Sequence, residues 1–174
     1  MTQPKYATQG ATHRRTEGAI LEGTKMLIAK FGLSNISMIE IADASEVSRA
    51  TLYNHYRDKH SVISALISAE VCYLIEIAEK AGTPADALEK LSIYISTDTA
   101  LAAMRIHDQA VITQLLAHSE HHLYLDMARC IYSATKSEAG TGVAMRWLIG
   151  QVLQPLSAKQ SREQAELLVD RTLF

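Results

Sequence analysis

The sequence predicts an all-α protein with an N-terminal three-helix helix-turn-helix domain followed by a C-terminal helical bundle. Only three prolines and eight glycines interrupt its 174 residues, and so few breaking residues favour long helices. Apolar residues recur at helical spacings along most of the chain, and no stretch shows the alternation of a convincing strand. Hydrophobic residues make up 48% of the chain and charged residues 21%, which is the mixture of an ordered globular protein.

The first predicted helix runs from Thr12 or His13 to Phe31, and Gly32 supplies the positive φ that commonly follows a helix end. The residues before it, 1–13, are predicted to form a flexible arm. Two interpretations of the arm stay open. It is a disordered polar terminus, or its basic residues lie against phosphates or in the minor groove when DNA is bound. Those basic residues are Lys5, His13, Arg14 and Arg15.

A capping pattern starts the second helix, because the Ser37 hydroxyl and the Glu40 carboxylate can each accept from the backbone N–H of the other residue. Residues 43–47 then form a turn, and Ser48 is the predicted N-cap of a third helix. In that helix Leu52 lies on the inward face with Tyr56 close to it. The opposite side carries Ala50 and Asn54, with Thr51 and Tyr53 on the flanks. A helix this short is stable only when its neighbours hold it, as a recognition helix is held over a major groove.

Here the chain resembles the DNA-binding domain of the tetracycline-repressor (TetR) family of bacterial regulators. The resemblance covers roughly residues 14–70 and is densest in the run IADASEVSRATLYNHYRDK. It implies a DNA-binding domain over residues 14–60, with phosphate contacts from the helix cap and the following helix, and base or backbone contacts from the recognition helix. The expected DNA contacts are Ser37, Ser48, Arg49, Ala50, Thr51, Tyr53, Asn54, His55 and Lys59.

One position departs from the resemblance, because Glu46 occupies a turn position where the family usually has glycine. A residue with a Cβ at positive φ costs on the order of 1 kcal/mol if the backbone conformation is kept. The turn is therefore expected to be slightly strained.

The remaining residues, 61–174, are predicted to be a helical ligand-binding and dimerisation domain, called the body below. Residues 138–142 are expected to break the helical pattern, and Ser161 with Gln164 matches a capping box. The predicted helices run from Asp58 to about Gly82, from Thr83 to Ser96, from Asp98 to His107, from Gln109 to Ala117, from Glu120 to Ser137, from Val143 to Leu153 and from Ser161 to Thr172.

The body has more apolar surface than its own core needs. Val143–Leu153 and the stretch Gln164–Leu173 are expected to pair with a second copy across a two-fold axis, and burial within one chain is the alternative. Polar-tipped or adaptable side chains within the apolar helices are candidates for a pocket that binds a small-molecule effector. The candidates are Tyr73, Tyr94, Met104, His107, Tyr124, Met127 and Trp147.

Other features narrow the function. His118, His121 and His122 lie at a predicted helix junction, where exposed histidines are common, so no metal and no cofactor is expected. No enzyme signature is present (no GxSxG, HExxH, P-loop or dinucleotide glycine pattern), and no enzyme activity is predicted. The chain lacks a signal peptide, and no apolar run approaches the roughly 18 to 20 residues of a membrane span, so a cytoplasmic protein is expected.

The net charge is −2, yet residues 1–60 hold eight Lys and Arg against six Asp and Glu. A basic end on an acidic body suits a DNA-binding protein. The sequence therefore predicts a homodimeric, ligand-responsive regulator, a repressor acting on a palindromic DNA operator. The alternative is an all-α small-molecule-binding or catalytic protein whose helix-turn-helix no longer binds DNA.

Overall fold

The computed structural model describes residues 5–116 and 122–170, and every regular element in those ranges is an α-helix. The predicted all-α class is confirmed. The N-terminal helices are α1 (Lys5–Phe31), α2 (Met38–Ala44) and α3 (Arg49–His55). The body follows with α4 (Lys59–Glu79), α5 (Pro84–Thr97), α6 (Thr99–His107), α7 (Gln109–Leu116), α8 (His122–Thr135), α9 (Glu138–Leu153) and α10 (Ala158–Val169).

Side-chain caps start several of these helices where the sequence predicts them. The Ser37 hydroxyl and the Glu40 side chain form the complete capping box of α2. Ser48 caps α3 by accepting from Thr51 N at 3.0 Å, and Asp58 caps α4 by accepting from Ser61 N at 2.8 Å. Because each cap satisfies a backbone N–H that has no partner within the helix, these starts depend on neighbours within three residues.

Helix α1 begins earlier than predicted, at Lys5 instead of Thr12 or His13. The described part of the arm is therefore helical. Pro4 precedes the first helical residue, a place where proline is tolerated, and no further proline interrupts the run to Phe31. Gly10 costs helix stability without ending the helix.

Two predictions about the end of the chain are wrong. Residues 138–142 do not break the helical pattern, since Ser137 caps α9 and accepts from Gly140 N at 3.2 Å. The chain instead turns at Lys136, whose φ is +52°. Helix α10 begins after the capping box of Ser157 and Gln160, one turn before the predicted start. Ser161 is fully buried within α10 and makes a contact with the Ser92 hydroxyl at 2.6 Å.

The turn keeps a positive φ at Glu46, the position where the family that the sequence resembles usually has glycine. Glu46 has a φ of +53°, and Gly32, which ends α1, has a φ of +80°. A Cβ on Gly32 would lie 2.7 Å from Asp108 Oδ2 and 2.8 Å from His107 Cβ. Gly32 is thus required twice, by its φ and by the close approach of the α6–α7 corner.

Two clusters of buried side chains hold the molecule together. The first joins Ile20, Ile41 and Leu52 of the N-terminal helices to side chains of α4, α6 and α7, among them Met104 and Ile112. The second lies within the body and is built from α5, α8, α9 and α10. Its buried members are Leu88, Leu91, Ile95, Met127, Ile131, Ala144, Met145, Leu148 and Ala165.

Helix α4 is long and apolar enough, by length and composition alone, to cross a membrane, which differs from the expectation that no segment approaches this length. It packs against α1, α5 and α8. Only 11% of its most apolar stretch is buried, because much of its apolar face borders a large cavity in the body.

Candidate nucleic-acid interface

Helix α3 is held from one side and exposed on the other. Leu52 is fully buried and Tyr56 is 9% exposed, so these two side chains anchor the helix as predicted. Arg49, Ala50 and Asn54 are exposed. Tyr53 keeps 54% of its surface exposed, while Thr51 and His55 are half-buried. An exposed face of small, hydrogen-bonding and cationic side chains on a short helix is suited to contact base edges in a major groove.

The hydroxyl groups expected near phosphates already serve the helix ends. The Ser37 hydroxyl donates to Glu40 Oε2 at 2.7 Å, and the two hydrogen bonds that Ser37 gives hold the pKa of the Glu40 carboxyl below its ordinary value. The hydroxyls of Ser48 and Thr51 lie 2.8 Å apart. A hydroxyl has one donor and two acceptor lone pairs, so Ser37 and Ser48 keep their caps by accepting and can donate to a phosphate only when their protons turn outward, away from Glu40 and Thr51.

Lys59 has a structural role that the sequence analysis missed. Its ammonium donates to the carbonyl oxygens of Leu33 at 3.1 Å and Ile36 at 2.9 Å, in the loop between α1 and α2. A cation in the first turn of a helix opposes the helix dipole, and this unfavourable position was the signal that Lys59 needed partners. Lys59 therefore fixes the loop that supports α2, and it stands at the edge of the expected DNA surface.

His55 stacks on His13 of α1, with ring centroids 4.1 Å apart and an interplanar angle of 15°. Burial lowers the pKa of His55, the nearby His13 lowers it further, and Glu17 opposes the shift. Next to it the Tyr56 hydroxyl donates to Glu17 Oε1 at 3.2 Å. Burial, together with the charge and hydrogen bond of Glu17, raises the pKa of Tyr56 to about 12. These contacts tie the end of α3 to α1. The side chain of Lys5, the other arm residue of interest, lies outside the described part.

Asp108, at the corner between α6 and α7, is a second anchor of the α1–α2 loop. Its carboxylate accepts from Leu33 N at 2.6 Å and from Ser34 N at 2.9 Å, and also from the Ser34 hydroxyl. Burial favours the protonated carboxyl, but the hydrogen bonds from Ser34 and Leu33 outweigh it, so the pKa of Asp108 lies below its ordinary value. The loop beneath α2 is thus held by Lys59 on its carbonyls and by Asp108 on its N–H groups.

Lys25 connects α1 to the body directly. Its ammonium lies 2.7 Å from Glu70 Oε2 in α4 and 2.8 Å from Asp98 Oδ2, the cap of α6. It also donates to the Tyr94 hydroxyl of α5 at 3.0 Å. Burial opposes the charged form of Lys25, yet the contacts with Asp98, Glu70 and Tyr94 outweigh burial and raise its pKa. The orientation of α1 therefore depends on three elements of the body.

A cavity of about 890 Å³ lies between α4, α5, α7, α8 and α9, and its size is that of a small-molecule site. Its wall is mainly aliphatic and includes Leu33 and Lys59 at the end nearest the N-terminal domain. Of the seven predicted ligand residues, Tyr124 and Met127 line it. The other described residues of the wall are His60, Ile63, Ser64, Ile67, Ser68, Val71, Leu74, Leu91, Ile95, Val111, Gln114, Leu115, Leu116, His122, Leu123, Met145, Leu148, Ile149 and Val152.

The other five predicted ligand residues do not line this cavity. Tyr73 lies against Tyr94, with ring centroids 5.2 Å apart. Met104 is buried in the N-terminal core, and His107 approaches Gly32. Trp147 donates from Nε1 to Gln164 Oε1 at 2.6 Å, which joins α9 to α10. Helical periodicity identifies a partly apolar helix without showing which of its faces borders a cavity.

Metal binding finds no support in the described ranges, where no three His, Cys, Asp or Glu side chains come together as ligands. His118 and His121 lie outside the described residues. His122 begins α8 and borders the cavity.

Comparison with known proteins agrees with this geometry. Residues 20–66 match the model of the bacterial regulatory proteins of the tetR family. An uncharacterised HTH-type transcriptional regulator of Mycobacterium bovis is 24% identical over 162 residues, which cover 89% of this chain and 86% of the relative.

Solved structures share the fold across nearly the whole chain. A transcriptional regulator from Streptomyces coelicolor A3(2) aligns with a TM-score of 0.63 at 14% identity, over 90% of this chain and 99% of the other. The regulator FadR from Bacillus subtilis, in complex with stearoyl-CoA, aligns with a TM-score of 0.55 at 18% identity, over 87% of this chain and 97% of the other. The helix-turn-helix geometry and the match over residues 20–66 show that this chain carries the DNA-binding domain of the tetR family of bacterial regulatory proteins, and its overall fold is shared with solved transcriptional regulators.

Proposed function

We propose that this regulator is a ligand-responsive repressor that acts as a homodimer on a palindromic operator in the cytoplasm. The observation that carries the proposal is the position of Leu33 and Lys59, which both line the cavity. Leu33 lies in the loop beneath α2, and Lys59 of α4 is hydrogen-bonded to that loop. A molecule in the cavity can therefore contact the side chains that hold this loop in place. A ligand that favours one arrangement of this loop shifts the population of DNA-binding conformations.

In the proposed complex, α3 enters the major groove. Arg49, Ala50 and Asn54 face base edges or the nearby backbone, because they lie on the exposed side opposite Leu52. The remaining contacts go to the sugar-phosphate chain and set the position of the helix without specifying sequence. Those contacts are assigned to Ser37, Ser48, Thr51, Tyr53, His55 and Lys59.

The proposed dimer uses the outer faces of the last helices. Leu125 and Tyr132 of α8, Val143 and Leu153 of α9, and Leu167 of α10 are all exposed large apolar side chains. Exposed apolar side chains on three helices that pack against one another are typical of an interface between subunits. A two-fold axis there would present two copies of α3 to two half-sites, which multiplies the specificity of one short helix.

The cavity is the proposed effector site. FadR from B. subtilis, a regulator with the same fold, was crystallised with stearoyl-CoA, so this architecture can hold an apolar chain. Repression would follow when the dimer occupies an operator, and relief when the effector favours a spacing of the two α3 helices that no longer matches the half-sites.

Fluorescence anisotropy with labelled DNA from upstream of the coding region tests the proposal, together with light scattering for oligomeric state. We expect salt-sensitive binding by a dimer. Arg49→Ala should weaken it by about tenfold or more. Lys159→Ala, which removes an exposed cation at the start of α10, should leave it unchanged. A purified protein that binds small molecules but no DNA fragment, either here or in a random-site selection, would favour the alternative without DNA binding.

A further inference from the structure

The cavity is elongated along helix α4. The residues of α4 that line it recur every three or four positions from Lys59 through Ile63, Ile67 and Val71 to Leu74, which is one face of a helix. At 1.5 Å per residue this face is about 22 Å long. The occupant that fits such a space is a long, narrow molecule.

Polarity is distributed unevenly along that length. Lys59 and His60 stand at one end, and the hydroxyls of Ser64 and Ser68 follow toward the middle. Beyond them the α4 face consists of Val71 and Leu74. The opposite walls are largely aliphatic, contributed by residues such as Leu91, Ile95, Leu148, Ile149 and Val152.

Among the described residues that line the cavity there is no aspartate or glutamate, whereas Lys59, whose side chain ends in an ammonium group, is one of them. The carboxylate of Glu40 interacts electrostatically with Lys59, but it accepts a hydrogen bond from Ser37 N and does not line the cavity. A charged group enters an apolar site only when a partner of opposite sign compensates its lost hydration. An anionic head has such a partner in Lys59, while a cationic head would meet a like charge and no carboxylate from the described part of the wall.

From this we infer that the effector is an elongated amphipathic anion, an apolar chain that carries one carboxylate, bound with its carboxylate at the Lys59 end and its chain along α4 toward Leu74. The inference rests on the proposed effector role of the cavity. An ammonium has three N–H donors, and the loop carbonyls of Leu33 and Ile36 accept two of them. The carboxylate therefore binds at the residue that fixes the α1–α2 loop, which gives the ligand a direct path to α2 and α3.

Three dodecyl probes that share a chain and differ in charge test the inference: dodecanoate, 1-dodecanol and dodecyltrimethylammonium. Binding to the full-length protein is measured by isothermal titration calorimetry below the micellar concentration of each probe. Dodecanoate should bind at least about tenfold more tightly than the alcohol, and the cation more weakly than either. Equal affinities, or a preference for the cation, would overturn the inference.

A matched pair of variants locates the anion. His60 follows Lys59 in α4 and lines the same end of the cavity. His60→Glu and His60→Gln introduce side chains of nearly the same bulk that differ in charge. Dodecanoate should bind at least about tenfold more weakly to the Glu variant than to the Gln variant, while 1-dodecanol binds both alike. If the two variants bind dodecanoate equally, the anion lies elsewhere and the assignment fails.

Anisotropy of labelled operator DNA in the same samples separates this inference from the proposed function. Dodecanoate that binds wild type and releases DNA supports both. Dodecanoate that binds while DNA stays bound supports the ligand class and contradicts the ligand-responsive function. DNA binding that persists in a protein with no affinity for dodecanoate overturns the ligand class and leaves the DNA-binding function standing.

Discussion

The carboxylate of Asp108 accepts a hydrogen bond from the backbone N–H of Leu33 at 2.6 Å, across 75 residues of sequence. Asp108 is only 3% exposed, so its charge depends on Leu33 and Ser34 for compensation. The contact fastens the α6–α7 corner of the body to the loop beneath α2. Any movement of α6 is therefore transmitted to the N-terminal domain through a short and directional bond.

Replacing Asp108 with asparagine should destabilise the protein by about 2 kcal/mol, because a buried charge-assisted acceptor is lost while its donors stay buried. Urea unfolding at pH 7 measures the change. Asp126→Asn is the control, since Asp126 makes an exposed i,i+3 pair with Arg129 and should cost less than about 0.5 kcal/mol. Equal losses in both variants would contradict the role of Asp108.

The difference in stability between wild type and Asp108→Asn should also depend on pH. The pKa of Asp108 is below its ordinary value in the folded chain, so its contribution to stability is complete above the ordinary carboxyl pKa of about 4. It is lost as the pH falls through the folded pKa. The stability difference between wild type and Asp108→Asn should therefore be constant from pH 7 to about 5 and shrink below about 4. A difference that grows in acid would have the wrong sign.

Glu46→Gly should stabilise the protein by about 0.5–1 kcal/mol, because Glu46 is held at a φ of +53° that glycine adopts without strain. Lys136→Gly, at a φ of +52°, should behave alike. Asp43→Gly gives the matched control, since Asp43 is an exposed residue in α2 and glycine there should cost about 1 kcal/mol. Thermal or urea unfolding distinguishes the signs. A loss of stability in Glu46→Gly would show that the Glu46 side chain makes a contribution larger than the strain.

Lys59→Ala should lower both the stability of the protein and the salt dependence of its DNA binding, whereas the loss of an ordinary phosphate contact changes only the second. The loss of the bonds to Leu33 and Ile36 lowers the free energy of unfolding, and the loss of one phosphate contact lowers the slope of log K against log salt by about 1. Arg57→Ala, which removes a side chain that is 92% exposed, should leave stability unchanged. A Lys59 variant with normal stability would contradict its role in the loop.

Asn54→Ala should relax base preference in a site-selection assay, whereas Lys59→Ala should keep the preferred sequence and weaken all sequences alike. The physical reason is that base edges carry sequence information and phosphates do not. An unchanged selected sequence for Asn54→Ala would contradict the orientation proposed for α3.

His55→Phe should flatten the pH dependence of stability between about pH 7.5 and 5.5. Burial and the adjacent His13 lower the pKa of His55 in the folded chain, so its contribution is present above the ordinary histidine pKa of about 6.5 and is lost as the pH falls through the folded value. Phenylalanine keeps a ring against His13 and cannot be protonated. An unchanged slope in the His55 variant would contradict this origin of the pH dependence.

Features that depend on near neighbours in sequence were predictable, and long-range ones were not. Ser37, Ser48 and Asp58 satisfy donors within three residues, so their patterns sufficed. At the end of the chain two overlapping patterns, Ser157 with Gln160 and Ser161 with Gln164, fit a capping box equally well. Tertiary packing decides between them, because Ser161 is buried inside the body, where its hydroxyl lies 2.6 Å from that of Ser92.

The candidate site also combines features that follow from near neighbours in sequence with features that depend on long-range packing. The exposed face of α3 follows from one anchor, Leu52, and the helical repeat. The wall of the cavity depends on how five helices pack. Most of the side chains that were predicted to bind a ligand, because they are polar-tipped or adaptable, instead contact other parts of the protein. Trp147, for example, joins α9 to α10. A glycine can end a helix or permit close packing within one, and the sequence does not distinguish the two. Gly140 was predicted to be part of a break, but a Cβ there would lie 3.3 Å from Thr135 Cβ. The residue therefore permits close packing inside the first turn of α9.

The hydrophobic core of the N-terminal domain is completed by Ala100, Met104 and Ile112 from α6 and α7. A fragment that ends near residue 60 would expose Ile20, Leu52 and their neighbours to water. Chimaeras that graft this DNA-binding segment onto another regulator should therefore fold only when α6 and α7 are transplanted with it. The N-terminal domain and the body therefore form one packed unit and not two exchangeable modules.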